Sequence, residues 1–222
     1  MIIDLNLENK KIVIIGAGNE AEKRVKSLLN QNCDITVISD SANKQITNLA
    51  KIQKIKLKKQ KIENTKFISE LKPDIVITTT NDKKLNQKII GHSKKKRVIA
   101  YSSDNPDESD FSNPAIIDFK KMIQIAIFTG GKSPAMSKEI KTKLETILEK
   151  IITKEDIARI KIQKISRKRA KEIIPTQLER KECLRNIMTD NHIDQLIKDG
   201  QIKKAEKRAT EIVKKWKKVK IS

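Results

Sequence analysis

Residues 11–40 constrain the fold of this chain more than any other stretch. A short apolar run, Lys11-Ile12-Val13-Ile14-Ile15, ends in Gly16-Ala17-Gly18, after which Ala21, Val25, Leu28 and Leu29 recur at helical spacing. Ile35-Thr36-Val37-Ile38 then supplies a second β-branched run that closes at Ser39-Asp40. Branched side chains suit a pleated strand, apolar residues three and four apart share one helix face, and glycines permit a tight reversal. The segment reads as strand, turn, helix and strand within the roughly thirty residues that a βαβ unit needs. Parallel strands joined in this way lie in sheets covered on both faces, so the N-terminal part of the chain is α/β.

The alternation continues downstream. Residues 51–62 mix lysines with Ile and Leu, which predicts a third strand at the sheet edge, where lysines oppose edge-to-edge pairing. Residues 74–79 predict a buried fourth strand, residues 84–93 a helix and residues 97–102 a fifth strand. A polar loop from Asp104 to Pro114 marks a change of architecture, with a boundary near residue 113. Residues 122–128 alternate like a strand and lead into the turn Thr129-Gly130-Gly131-Lys132-Ser133-Pro134. Ile140, Leu144, Ile147, Leu148 and Ile151 then form one helix stripe, an apolar face suited to a dimer contact. Beyond residue 153 the chain is basic and helical in pattern, with breaks at Pro175 and Gly200 and no internal repeat. A small helical domain is the natural reading there, and a tail that orders only in a dimer is the alternative. The expected architecture is therefore α/β: a Rossmann-type parallel sheet over residues 1–112, a strand-turn-helix dimerisation segment over 113–150 and a basic helical domain over 151–222.

Composition removes several functional classes. Aromatics make up 3% of the chain, too few for the stacking platforms of single-strand nucleic-acid binders. The net charge of +21 invites a nucleic-acid reading, but lysine is spread from Lys10 to Lys220 rather than clustered. A positive field also draws in a small polyanion, such as a substrate with many carboxylates. Cys33 and Cys183 form no metal-binding or disulfide pattern, and no stretch approaches the roughly 18 apolar residues of a membrane span. A soluble, cytoplasmic protein is expected.

Gly16-Ala17-Gly18-Asn19-Glu20-Ala21 matches the G-x-G-x-x-G/A pattern between a predicted strand and a predicted helix. The first glycine makes the turn, the second lets backbone approach a pyrophosphate, and Ala21 allows close helix packing. Asp40, nineteen positions after Ala21, stands where a carboxylate accepts ribose hydroxyls and repels a 2′-phosphate, which favours NAD over NADP. Two plainer readings stay open: a turn without ligand, and an Asp40 that caps the next helix. Asp104 follows the fifth strand on the edge where ligands bind in such sheets, and a carboxylate there could take a proton as hydride leaves. Its plainer reading is a turn residue before Asn105-Pro106.

Beyond the glycine pattern, the sequence resembles the precorrin-2 dehydrogenase and sirohydrochlorin ferrochelatase family, the N-terminal module of bifunctional siroheme synthases. The resemblance is carried by residues 11–20, Thr78-Thr79-Thr80-Asn81-Asp82 with Asn86, Asp104, residues 111–118, residues 125–134 and Lys143-Leu144-Glu145, and covers roughly residues 1–150. It implies a homodimer that oxidises precorrin-2 to sirohydrochlorin by hydride transfer to NAD⁺, sometimes followed by Fe²⁺ insertion. It implies that Asn19, Glu20, Asp40 and Ser41 touch NAD, that Thr79, Thr80 and Asn81 lie beside it, and that Asp104 is the essential aspartate. Lys132 is a candidate contact for substrate carboxylates, while Thr129, Gly130, Gly131 and Ser133 either join it or only close the turn.

The chain departs from the family in two places, Tyr101 where the family has Asn and Ala17 where it commonly has a third glycine. Only about seventy residues follow position 150, too few for a methyltransferase module. His92 and His192 stand alone, so no protein metal site is expected. Two further functions remain as alternatives, an NAD-sensing module without chemistry and a nucleic-acid binder built on the basic helices.

Overall fold

The computed structural model describes residues 2–216. By its contacts the chain divides into two units, Met1–Pro114 with Gly130–Lys132, and Ala115–Thr129 with Ser133–Ser222.

The first unit is a parallel five-stranded sheet wrapped by helices. Its elements run β1 Lys11–Ile15, α1 Asn19–Leu28, β2 Asp34–Ser39, α2 Lys44–Lys51, β3 Lys56–Lys59, α3 Lys66–Leu71, β4 Ile75–Thr78, α4 Lys83–Lys95 and β5 Ile99–Ser102, with a 3₁₀ turn at Pro106–Glu108. The strand order is β3-β2-β1-β4-β5. Central β1 and β4 are buried along almost their whole length, as the continuous apolar runs require of strands covered on both faces. Ile15 pairs with Ile38 on one side and Thr78 on the other, so three strands end level with one another. Edge strand β3, Lys-Leu-Lys-Lys, buries little and presents lysines where another strand would pair.

Two apolar layers sandwich the sheet. Ile12, Ile14, Val37, Ile77 and Tyr101 pack with Ala21, Val25 and Ile46 of α1 and α2, while Val13, Ile15, Ile38 and Val76 pack with Phe67, Ile68 and Ile89 of α3 and α4. Alternate residues of each strand serve opposite layers, which is the period of two expressed in three dimensions.

The second unit opens with an antiparallel hairpin, β6 Ala115–Phe119 and β7 Ile123–Ile127, followed by α5 Pro134–Ile151. Residues 122–128 were expected to form a strand, but β6 carries no strong signal because its turn is made by Lys120 and Lys121 at φ 54° and 57°. Such turns usually announce themselves with Asn-Gly, and here Asp118 Oδ1 accepts the Lys121 N–H at 2.6 Å instead. Four helices follow: α6 Lys154–Ile173, α7 Gln177–Met188, α8 Asn191–Lys198 and α9 Ile202–Trp216. Breaks fall beside Pro175 and at Gly200, whose φ is 69°, and a further break comes at Asp190, which caps α8. Ile162, Ala170, Cys183, Ile187, Ile193, Ile197, Ala205 and Val213 form their core. The structure thus has the expected Rossmann-type sheet and a helical C-terminal region. Among the described residues no helix is long and apolar enough to cross a membrane.

Candidate functional site

The winding of the first unit reverses between β1 and β4, and in such sheets a crevice opens beyond the carboxyl ends of the strands at that point. A cleft of about 680 Å³ lies there. It is lined by Gly16, Ala17, Gly18, Asn19 and Glu20 after β1, Asp40 and Ser41 after β2, Lys61 after β3, and Thr79, Thr80 and Asn81 after β4. The ten residues expected around a cofactor therefore share one cleft. A second hollow, of about 620 Å³ at the amino ends of β1, β4 and β5, is lined by Lys10, Lys72, Asp74 and Arg97 among others and holds none of the expected site residues.

The turn after β1 is built around Gly16. Its φ is +100°, and a Cβ there would lie 2.7 Å from Thr79 Oγ1 and 3.2 Å from the Thr79 carbonyl, so both backbone angle and space exclude a side chain. Gly16 N–H donates to the Ile38 carbonyl at 2.9 Å, and the Thr79 N–H and hydroxyl both donate to the Ile15 carbonyl at 2.9 Å. The turn is thereby tied to β2 and β4.

Gly18 differs, because a Cβ built on it meets nothing within 4 Å. It stands at the N-cap of α1 and no side chain caps that helix. By contrast α2, α4, α5, α6, α7 and α8 are capped by Asn43, Asp82, Ser133, Thr153, Thr176 and Asp190. The leading N–H groups of α1 stay available to an outside acceptor at the positive end of the helix dipole. Its first-turn carboxylates are drawn aside: Glu20 pairs with Lys23 at 2.5 Å and Arg24 at 3.6 Å, and Glu22 with Lys26 at 2.5 Å. Lys26 also holds the Glu22 carboxyl below its ordinary pKa. An uncapped helix start, an open glycine and a free approach fit a pyrophosphate.

Asp40 is exposed and does not cap α2. Its Oδ1 accepts the Ser41 N–H at 2.7 Å, and Oδ2 has no partner among the described residues. The cap is Asn43, whose N–H also donates to the Ala17 carbonyl at 3.0 Å and whose amide donates to Glu22 at 2.8 Å.

Asp104 lies two residues beyond β5, on the same edge of the sheet, in a polar network. Its Oδ1 accepts from Ser102 Oγ at 2.5 Å and from Asn86 Nδ2 at 2.9 Å. Asn86 in turn donates to the Thr80 carbonyl at 2.9 Å and accepts the Thr80 hydroxyl at 2.6 Å. Behind Ser102, the buried Thr78 hydroxyl lies 2.8 Å from its Oγ. The carboxylate is thus linked through one side chain to Thr80 on the cleft wall.

Residues 3–115 match the model of a family described as "Putative NAD(P)-binding". The chain belongs to this NAD(P)-binding family. It is also similar to curated proteins named siroheme synthase: one from Psychromonas ingrahamii is 28% identical over 201 residues, 90% of this chain and 40% of that protein. Another, from Methylococcus capsulatus, is 30% identical over 146 residues, 66% of this chain and 30% of that protein. The chain accordingly spans less than half the length of these relatives. A solved structure titled "SirC, precorrin-2 dehydrogenase" superposes with a TM-score of 0.70 at 19% identity, covering 94% of this chain and 99% of that one, which shows a shared fold.

Within this NAD(P)-binding protein the remaining expected site residues form local structure. Gly130 and Gly131 have φ of 65° and 75°, and Thr129 Oγ1 accepts the Ser133 N–H at 3.2 Å. Ser133 Oγ caps α5 by accepting the Met136 N–H at 3.2 Å. Tyr101 is a core residue, stacked on Phe111 at 5.1 Å with the Arg24 guanidinium 4.9 Å from its ring centre. Strand alternation sends it to the face opposite Ser102, so this departure from the family pattern changes packing under α1.

Among the described residues no three His, Cys, Asp or Glu group as a metal site. Burial pushes the Cys183 thiol up to about 11 and raises Cys33, which keeps both as protonated, unreactive thiols. Sequence reasoning missed Asn43, Lys61 and Ser102, and quoted Thr78 without giving it a role. The first could have been found as Asn three residues before an apolar helix position, and the two hydroxyls as polar residues interrupting buried strands.

Proposed function

We propose that the chain is an NAD⁺-dependent precorrin-2 dehydrogenase of siroheme biosynthesis. The observation that carries this reading is Asp104, a carboxylate on the carboxyl edge of the sheet that is hydrogen-bonded through Asn86 to Thr80 of the cleft. The names of the siroheme synthase relatives and of the superposed dehydrogenase support it. When bound, NAD⁺ supplies the hydride acceptor. Oxidation to sirohydrochlorin removes one hydride and one proton, giving NADH and H⁺. Asp104 takes the proton at Oδ2, the oxygen with no partner among the described residues.

In this reading Gly16, Ala17, Gly18, Asn19 and Glu20 receive the pyrophosphate on backbone amides. Asp40 and Ser41 hold the adenosine ribose and disfavour a 2′-phosphate, while Thr79, Thr80 and Asn81 flank the nicotinamide end. Thr129, Gly130, Gly131, Lys132 and Ser133 meet the carboxylates of the substrate. Residues 1–112 form the NAD domain, 113–150 a dimerisation segment and 151–222 a basic helical domain. The homodimer uses the α5 stripe, where Ile147 and Ile151 are 53% and 62% exposed. Two free cysteines suit the reducing cytoplasm.

The test is anaerobic incubation of the protein with precorrin-2 and NAD⁺, following the sirohydrochlorin spectrum and NADH together. Formation of both in equal amounts supports the assignment, and no spectral change beside an active control overturns it. A parallel arm with Fe²⁺ reads whether Asp104 also accepts pyrrole protons during iron insertion.

A further inference from the structure

Every hydrogen in the network around Asp104 can be assigned. Asn86 has two amide hydrogens, one given to the Thr80 carbonyl and one to Asp104 Oδ1, while its own Oδ1 receives the Thr80 hydroxyl. A flipped amide would point its oxygen at a carbonyl and a carboxylate, so its orientation is set. Ser102 has one hydrogen, and Asp104 Oδ1 takes it. The Thr78 hydroxyl must then donate to Ser102 Oγ. Both bonds to the carboxylate end on Oδ1, and Oδ2 can gain a proton without any bond of the network breaking.

Burial argues that this arrangement has a purpose beyond the fold. Thr78, Asn86 and Ser102 are 0%, 1% and 2% exposed. Apolar residues of like shape would fill those positions about as well, because paired buried polar groups contribute little net stability. We infer that Asn86 and Ser102 are positioning residues, which fix the Asp104 carboxylate by one oxygen and present the other to the substrate, with Thr78 orienting Ser102. The inference rests on the reading of Asp104 as the proton acceptor.

The experiment compares Ser102→Ala, Thr78→Val and Asn86→Ala for kcat, for KM of precorrin-2 and for Kd of NAD⁺. Ser102→Ala is expected to lower kcat about 10- to 100-fold, leaving KM and the NAD⁺ Kd within about threefold, since Ser102 does not line the cleft. Thr78→Val keeps shape and leaves the Ser102 donor in place, and is expected to lower kcat about two- to tenfold. Asn86→Ala should lower kcat and also weaken NAD⁺, because it holds Thr80. In an Asp104→Ala background, Ser102→Ala should remove nothing more.

A Ser102→Ala enzyme with full kcat beside an inactive Asp104→Ala overturns the positioning role and leaves Asp104 as the base. An active Asp104→Ala overturns both. If Ser102→Ala loses NAD⁺ binding, kcat and thermal stability together, the network serves folding and the inference fails.

Discussion

Aspartates that join helices and aspartates at the carboxyl edge of the sheet are held differently, although away from that edge the sheet unit also pairs Asp74 with Lys10 and Asp110 with Lys94. Among the helices three are gripped by cations: Asp190 receives Nε and Nη2 of Arg208 at 2.9 Å and 2.7 Å, and Asp194 and Asp156 share Arg159, with Lys198 also on Asp194, whereas Asp199 accepts from the Gln195 amide. In the sheet unit Asp40 and Asp104 accept only from neutral donors, and each keeps an oxygen without a described partner. A charge that joins helices is neutralised on the spot. A charge held by neutral groups keeps its reach toward an incoming ligand.

The sharpest way to break this comparison is to remove the carboxylate at position 104. Asp104→Ala and Asp104→Asn should both lower precorrin-2 oxidation by about 10²- to 10⁴-fold, with NAD⁺ affinity within about threefold of wild type by titration calorimetry. Next in size is Gly16→Ala. The positive φ and the 2.7 Å approach to Thr79 predict a loss of about 2 kcal/mol or more in urea unfolding, together with weaker NAD⁺ binding. Gly18→Ala separates the two effects: its Cβ has room in the free protein, so stability should hold within about 1 kcal/mol while NAD⁺ binding falls.

The same contrast explains what could be read from the chain itself. The sheet unit was legible because β1, β2 and β4 are continuous branched runs and the glycine turn has a spacing tied to one chemistry. Its ten cofactor candidates share the cleft for the same reason, as they all follow carboxyl ends of neighbouring strands. The partners of Asp104 were not legible as such. Thr78, Asn86 and Ser102 come from β4, α4 and β5, and only the register of β4 on β5, which sets Thr78 beside Ser102, brings the hydroxyls together. The β6 turn escaped because two lysines adopt angles that usually call for Asn or Gly.

On the helical side, Asp190→Ala should cost about 2 kcal/mol, since it removes both the α8 cap and the arginine pair, the latter discounted because Arg208 is 42% exposed. Asp190→Asn retains the cap and should lose less in the same unfolding assay. Acid provides the check on sign. The hydrogen bond from Arg208 holds the Asp190 carboxyl below its ordinary range. Its contribution is then complete above the unfolded value of about 3.9 and lost as pH falls through the lower folded one. The stability gap between wild type and Asp190→Ala should therefore narrow from pH 4 downward, and a gap that widens there would place the stabilisation elsewhere.

The smallest expected effect concerns Asp40, and it tests whether an unpaired carboxylate in the sheet unit reads its ligand by repulsion. The same cleft is lined by Lys61, the only cation among the described lining residues, which pairs with Glu63 at 3.2 Å on the surface. Asp40→Asn keeps shape and still accepts the Ser41 N–H, but loses the charge that opposes a 2′-phosphate. The ratio of NADP⁺ to NAD⁺ affinity should rise about tenfold, mostly through tighter NADP⁺, and adding Lys61→Ala should reverse part of that gain. An unchanged ratio in Asp40→Asn would mean that this carboxylate does not face the ribose, and the contrast between the two groups of aspartates would then rest on Asp104 alone.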